Sequence, residues 1–165
     1  MRANHTSARA HVRPARQDDA PTLAQVHAQT WVEAYSDLLP AQVIRDQVDA
    51  APEQWRHRLE APDGPSYWLA ERDGKVVGFA WAEAIGPGHP RALELIGLYL
   101  IASEYGTGTA GSLLLASVGD APCQLWVARD NARARAFYRR NGFAPDGAER
   151  VAQEWGGITV ERWVR

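Results

Sequence analysis

Apolar positions along the chain change their spacing several times, and each change marks an element. Leu23, Val26, His27, Thr30 and Trp31 recur at three- and four-residue steps, the period of one helix face. Asp18 or Asp19 can cap that helix, and Pro21 fits its first turn. Ahead of it, Val12-Arg13-Pro14 reads as a short edge strand, because proline has no N–H to give a ladder. Tyr35 to Pro40 reads as a loop. Two shorter helices are expected next, Ala41 to Val48 and Pro52 to Glu60, the second opening on its proline and turning Trp55 and Leu59 inward. Ala61-Pro62-Asp63-Gly64-Pro65 is turn chemistry. Ser66 to Glu71 and Lys75 to Ala84 then predict a hairpin around Arg72-Asp73-Gly74, where Asp-Gly supplies the positive dihedrals that such a turn needs.

Gly86-Pro87-Gly88-His89-Pro90 breaks the chain, and the apolar run Leu93 to Ile101 follows as a central strand. It passes through a glycine-rich turn into a helix with an apolar face. Cys123 to Ala128 reads as a strand and Asn131 to Asn141 as a helix ended by Gly142. Two last strands, about Gly147 to Glu154 and Ile158 to Arg165, flank Trp155-Gly156-Gly157. The order predicts an α/β fold: a mixed central sheet of about six to seven strands with helices on both faces. There is no internal repeat and no linker long enough to divide the chain. Residues 11–165 read as one domain behind a flexible tail, residues 1–10, which holds no apolar core of a secretory signal.

The chemistry is concentrated in the turn Gly106-Thr107-Gly108-Thr109-Ala110-Gly111. It lacks bulky side chains, so backbone amides ahead of the helix can close around an anion such as a phosphate. The literal pattern G-x-G-x-x-G also fits a dinucleotide site, with Asp130 near the end of the next strand. Against that, Ala102 to Tyr105 separate the strand from the first glycine, and too little chain remains for a doubly wound sheet. Composition narrows the partners. A chain of 165 residues, 45% hydrophobic and 23% charged, with a net charge of -2, gives no case for nucleic acid or an anionic membrane, and no run approaches the length of a membrane span. One cysteine, Cys123, excludes an internal disulfide and fits a reducing, cytoplasmic compartment. No group of His, Cys and carboxylates has metal-ligand spacing, so no metal is expected.

Leu98-Tyr99-Leu100 followed by Glu104-Tyr105-Gly106-Thr107-Gly108-Thr109-Ala110 resembles the acetyl-CoA-binding motif of the GCN5-related N-acetyltransferase (GNAT) superfamily, Q/R-x-x-G-x-G/A. Asn131 to Phe143, NARARAFYRRNGF, resembles its second signature, N-x-x-A-x-x-F-Y-x-x-x-G-F. The similarity spans Val12 to Arg165. Ser103 departs from the pattern, since the family has Gln or Arg there, which puts one side-chain contact to the pyrophosphate in doubt.

The resemblance implies the GNAT fold, acetyl-CoA as cosubstrate and an amine acceptor. It places Leu98, Tyr99 and Leu100 along the pantetheine arm and acetyl group, at a bulge that Gly97 independently suggests; the alternative is a glycine that relieves crowding under a large side chain. Glu94 matches a strand glutamate that serves many relatives as base. It is the one charge in the apolar run, a setting in which desolvation tunes a carboxylate towards base chemistry, though a solvated residue at a frayed strand entrance is the plainer reading. Tyr138 matches a tyrosine near the coenzyme sulphur, where a phenol of pKa ~10 can protonate the leaving thiolate; helical spacing with Ala134 and Phe137 alone would make it core. Asn131 can cap its helix and also bond the pantetheine arm. Of the helix arginines, usually a solvated face, Arg135 and Arg139 are the better matches to the coenzyme's 3′-phosphate. For the acceptor, Trp31, Glu33, Tyr35, Asp37 and Trp155 would form an aromatic and acidic wall suited to a cationic primary amine of a small molecule, such as a polyamine, amino acid or amine-bearing antibiotic. A protein or peptide acceptor, and a non-catalytic acyl-CoA-binding or sensing domain, are the alternatives; assembly into a homodimer is left open.

Overall fold

The computed structural model describes residues 9–165. Of the tail expected over residues 1–10, residues 1–8 lie outside the described residues, and Arg9 and Ala10 lead into the first strand. The order is β1 (His11–Pro14), α1 (Ala20–Tyr35), α2 (Ala41–Glu60), β2 (Tyr67–Arg72), β3 (Lys75–Ala84), β4 (Leu93–Leu100), α3 (Thr109–Val118), β5 (Gln124–Ala128), α4 (Ala132–Arg140), β6 (Ala144–Ala152) and β7 (Ile158–Val164). The strands form one sheet, β1-β2-β3-β4-β5-β7-β6. Every neighbouring pair is antiparallel except β4 with β5.

The strand expected over about Gly147 to Glu154 starts earlier, at Ala144, and the helices expected after the first loop merge. The two short helices are a single helix, α2, with Pro52 inside it. The proline sits on the exposed side, where water can take the carbonyl that its ring leaves without a donor. Ile44, Ala51 and Trp55 meanwhile keep one buried stripe across the joint, at steps of seven and four residues. Burying such a stripe stabilises by roughly 1.5–3 kcal/mol per large side chain, enough to outweigh the ~3 kcal/mol of an internal proline.

The helices divide between the two faces. Leu23 of α1 and Trp55 of α2 pack on Leu69 and Phe79; on the opposite face Leu113 of α3 packs on Ala70, Ala80 and Leu100. Tyr138 of α4, with Phe143 just beyond it, joins Leu125 and Trp163. His27 belongs to the first of these layers. It is 4% exposed, ringed by Trp31, Trp55, Phe79 and Tyr99, and its Nδ1 accepts from Trp55 Nε1 at 3.1 Å. Burial, with the charge of Arg58 adding, lowers its pKa to about 4, so the imidazole is neutral in the native core.

The centre of the sheet carries two irregularities. In the β3–β4 ladder Trp81 opposes Gly97 but Ala82 opposes Leu95, which leaves Ile96 as the extra residue of a bulge. Both readings of Gly97 hold, since a Cβ there would lie 2.2 Å from Trp81 Cζ3: the bulge exists, and only glycine fits beneath the indole. Next to it, β4 and β5 are in register at the single pair Glu94 and Gln124. Beyond that pair the strands part.

Candidate active site

The parting of β4 and β5 opens a cavity of about 410 Å³ that runs through the sheet. Ile101 N–H donates to the Val77 carbonyl across β3 at 3.0 Å. By the alternation of an antiparallel strand, the Leu98 and Leu100 amides therefore point the other way, into the gap. Leu98, Tyr99 and Leu100 all line it.

At one end lies the mouth of α3. Gly108 caps this helix with φ of 88°, and Gly106 also has positive φ, a conformation that a side chain disfavours. A Cβ at Gly106, Gly108 or Gly111 would meet nothing within 4 Å, so the space above the turn is open. Gly106, Gly108, Ala110 and Gly111 line the cavity. Thr107 and Thr109 border an adjoining hollow of about 290 Å³ that shares Gly108 and Gly111. The Ala110 and Gly111 amides, in the first turn, have no preceding helical carbonyl to bond, so they and the helix dipole face an incoming anion.

A buried carboxylate holds this turn from below. Glu104 is 5% exposed and accepts from Arg72 Nε at 2.8 Å and Nη2 at 3.0 Å. It also accepts from Thr107 Oγ1 at 3.1 Å and Thr109 Oγ1 at 3.0 Å. Burial alone would raise its pKa; the hydrogen bonds from Arg72, Thr109 and Thr107 outweigh that and hold it below the ordinary carboxylate value. No local sequence pattern announces this network, because Arg72 comes from the end of β2.

The other wall is α4. Asn131 caps it, its Oδ1 accepting from Ala134 N–H at 3.1 Å, and the residue lines the cavity as well. Tyr138 lines it too, and burial raises its pKa, with Tyr99 and Cys123 adding; the phenol is uncharged at neutral pH. Arg135 does not line the cavity. Its guanidinium faces Glu161 at 3.5 Å and donates to the Arg129 carbonyl, while Arg139 lies over Trp163. Among the described residues, the arginines that do reach the cavity are Arg133 and Arg140, and Arg133 stacks on Tyr105 at 3.9 Å.

On the α1 and α2 face the cavity ends against Tyr35, Tyr99 and Trp155. Trp31 stands behind them, 4.9 Å from Tyr35 and edge-on to Trp155. Its Nε1 is buried without a partner in hydrogen-bond geometry, though close enough to Tyr99 to favour that phenol's ionised form slightly. The acidic half of the expected wall is not there. Glu33 turns to the Ala102 amide at 2.5 Å and to Gln29, because that N–H at the end of β4 has an exposed helix side chain within reach. Asp37 is exposed and does not line the cavity. Glu94 does not line it either: its Oε2 accepts from Gln124 Nε2 at 2.7 Å at the paired end of the two strands. Cys123 is buried, and burial pushes its thiol pKa up.

A mixed sheet split at its centre, with a bulged strand on one side and an amide-rich helix mouth over the gap, is the GNAT fold. The chain belongs to that family: the sequence profile of the acetyltransferase (GNAT) family matches residues 28–143. An uncharacterized N-acetyltransferase of Mycobacterium tuberculosis is 34% identical over 136 residues, 78% of this chain and 85% of the relative. A mycothiol acetyltransferase of Streptomyces avermitilis is 32% identical over 132 residues, which are 78% of this chain but 40% of that longer protein. Among solved structures, the PaiA N-acetyltransferase from Thermoplasma acidophilum, in complex with coenzyme A, shares the fold with a TM-score of 0.76 at 20% identity, covering 94% of this chain and 98% of that one.

Proposed function

We propose that the protein transfers the acetyl group of acetyl-CoA to a primary amine of a small molecule by direct attack. The observation that carries this reading is the cavity itself, which joins an open helix mouth to a protonated Tyr138 and ends on an aromatic wall across the sheet. In this reading the Ala110 and Gly111 amides take the diphosphate, with Arg133 supplying charge that Ser103 cannot. The Leu98 and Leu100 amides, facing the gap, hold the pantetheine arm and the thioester oxygen. The amine nitrogen attacks the thioester carbon, the C–S bond breaks, and the leaving sulphur takes the Tyr138 proton, which the phenolate regains from solvent to close the cycle. The proton that the nitrogen gives up passes to solvent, and a base role for Glu94 would run through an intervening water because its carboxylate is held by Gln124 outside the cavity. Cys123, buried and not lining the cavity, is not a nucleophile for a two-step route.

The test is calorimetric titration with acetyl-CoA, followed by thiol release over a panel of amines. Saturable binding with amine-dependent thiol release is expected. A protein that ignores acetyl-CoA at millimolar concentration, or that binds it and transfers acetyl only to peptide N-termini or lysine side chains, contradicts the assignment.

A further inference from the structure

The two ends of the cavity differ in character. At the α1 and α2 end the boundary is Tyr35, Tyr99 and Trp155, with Thr30 and Ala34 of α1. The phenols there are uncharged, because burial raises Tyr35 well above the ordinary phenol value and Tyr99 to about 12. The Thr30 hydroxyl donates a hydrogen bond to the His27 carbonyl at 2.9 Å. Among the described residues that line the cavity the only carboxylate is Glu104; it lies beneath the α3 mouth and is engaged by both Nε and Nη2 of Arg72.

Such a wall attracts one cation through ring faces and packs an aromatic body edge to face. A second or third ammonium would lose its water there with no counter-ion to meet it. We propose that the acceptor is a monoamine with an aromatic body, an arylalkylamine, and that the missing carboxylates exclude polyamines and other polycations. This rests on the acetyl-transfer reading above and narrows its acceptor. It also reverses the expectation of an acidic wall, since Glu33 is held at the end of β4 by the Ala102 amide.

The experiment uses the full chain with acetyl-CoA and compares 2-phenylethylamine, butylamine and spermidine by thiol release. The expected kcat/KM for 2-phenylethylamine exceeds that for either of the others by about tenfold, the order of one good ring contact. Without acetyl-CoA, 2-phenylethylamine should change the tryptophan fluorescence saturably and spermidine should not. Ala34→Asp places a carboxylate on the wall, and Ala34→Asn places an uncharged side chain of the same shape. The first should raise spermidine turnover relative to 2-phenylethylamine by about tenfold over the second, which carries the same bulk without the charge. Should Ala34→Asp fail to fold, the amine ranking and the fluorescence of the unaltered protein decide. Turnover that ranks spermidine or butylamine first, or equal ratios in two folded variants, overturns the proposal while leaving acetyl transfer intact. Acetyl-CoA binding without thiol release to any amine overturns the acetyl-transfer reading, and this one with it.

Discussion

Glu104→Ala separates the scaffold of the proposed coenzyme turn from the turn's own amides. The side chains of Arg72 and Glu104 are 13% and 6% exposed, so truncating the carboxylate takes the paired charge from a largely buried guanidinium and one acceptor from each of Thr107 and Thr109, whose hydroxyls keep one another and the Glu104 carbonyl. Breaking such a pair costs about 3–5 kcal/mol. Arg72 stands at the end of β2 and can turn outward, which favours the lower figure. For a chain of this size ~3 kcal/mol corresponds to a fall in Tm of roughly 6–12 °C. Coenzyme affinity is pulled two ways. Losing a negative charge beneath the turn favours a diphosphate, by roughly 0.5–2 kcal/mol for a unit charge about 8 Å away. Losing the carboxylate's bonds to Thr107 and Thr109 loosens the amides, at about 1.5–3 kcal/mol for each charge-assisted bond given up. The second effect is the larger, so KM for acetyl-CoA should rise about tenfold in Glu104→Ala with kcat little changed. Glu104→Gln, which keeps the shape and one acceptor oxygen, should recover most of that loss. Steady-state kinetics well below the Tm, beside thermal melts, decide it. An unchanged KM in a folded Glu104→Ala protein would refute the reasoning. Because the native carboxyl has its pKa below the ordinary value, its stabilisation is complete above the unfolded-state pKa and is lost as pH falls through the native one; acid melts should show that slope in the parent and not in Glu104→Gln.

Tyr138→Phe should lower turnover by about 10²-fold while leaving coenzyme affinity unchanged; equal kcat in both proteins would remove the phenol from the reaction. Glu94→Gln should cut kcat/KM near neutrality and regain it at alkaline pH if proton removal runs through that carboxylate, and parallel pH profiles would exclude it. His27, with a native pKa of about 4 against ~6.5 unfolded, binds fewer protons folded than unfolded, so stability should drop as pH falls from about 6.5 to 4, by up to ~3 kcal/mol. His27→Asn, whose Oδ1 can still accept from Trp55, should flatten that slope in urea melts. Gly97→Ala should lower stability by ~2 kcal/mol or more through the clash with Trp81 and slow turnover by moving the bulge; a wild-type melt would show that the bulge yields freely.

Much of this was legible in the sequence because local rules and the tertiary structure agree. The glycines before α3, the Asn131 cap and the Asp-Gly hairpin each call for a few residue types for a reason confined to a few positions. α2 was misread because the proline rule is local, whereas the stripe through Ile44, Ala51 and Trp55 that overrides it is tertiary. The arginines of α4 failed for a different reason. At 100° per residue Ala134, Tyr138 and Asn141 mark the inward face, with Arg133 and Arg140 on one flank and Arg135 and Arg139 on the other. Sequence gives the two flanks but not which of them meets the cavity; that depends on how α4 lies on β5 and β7. Glu33 and Glu104 have partners set by residues that come together only in the folded chain.

With just the Glu94–Gln124 rung joining β4 to β5, the free molecule carries an unfinished seam down its middle. An extended ligand with amides of its own, laid against Leu98 and Leu100, would complete the weave as a strand borrowed from outside the chain. Cargo of that kind becomes part of the fabric while it is held, and letting it go means unpicking main-chain stitches rather than emptying a pocket.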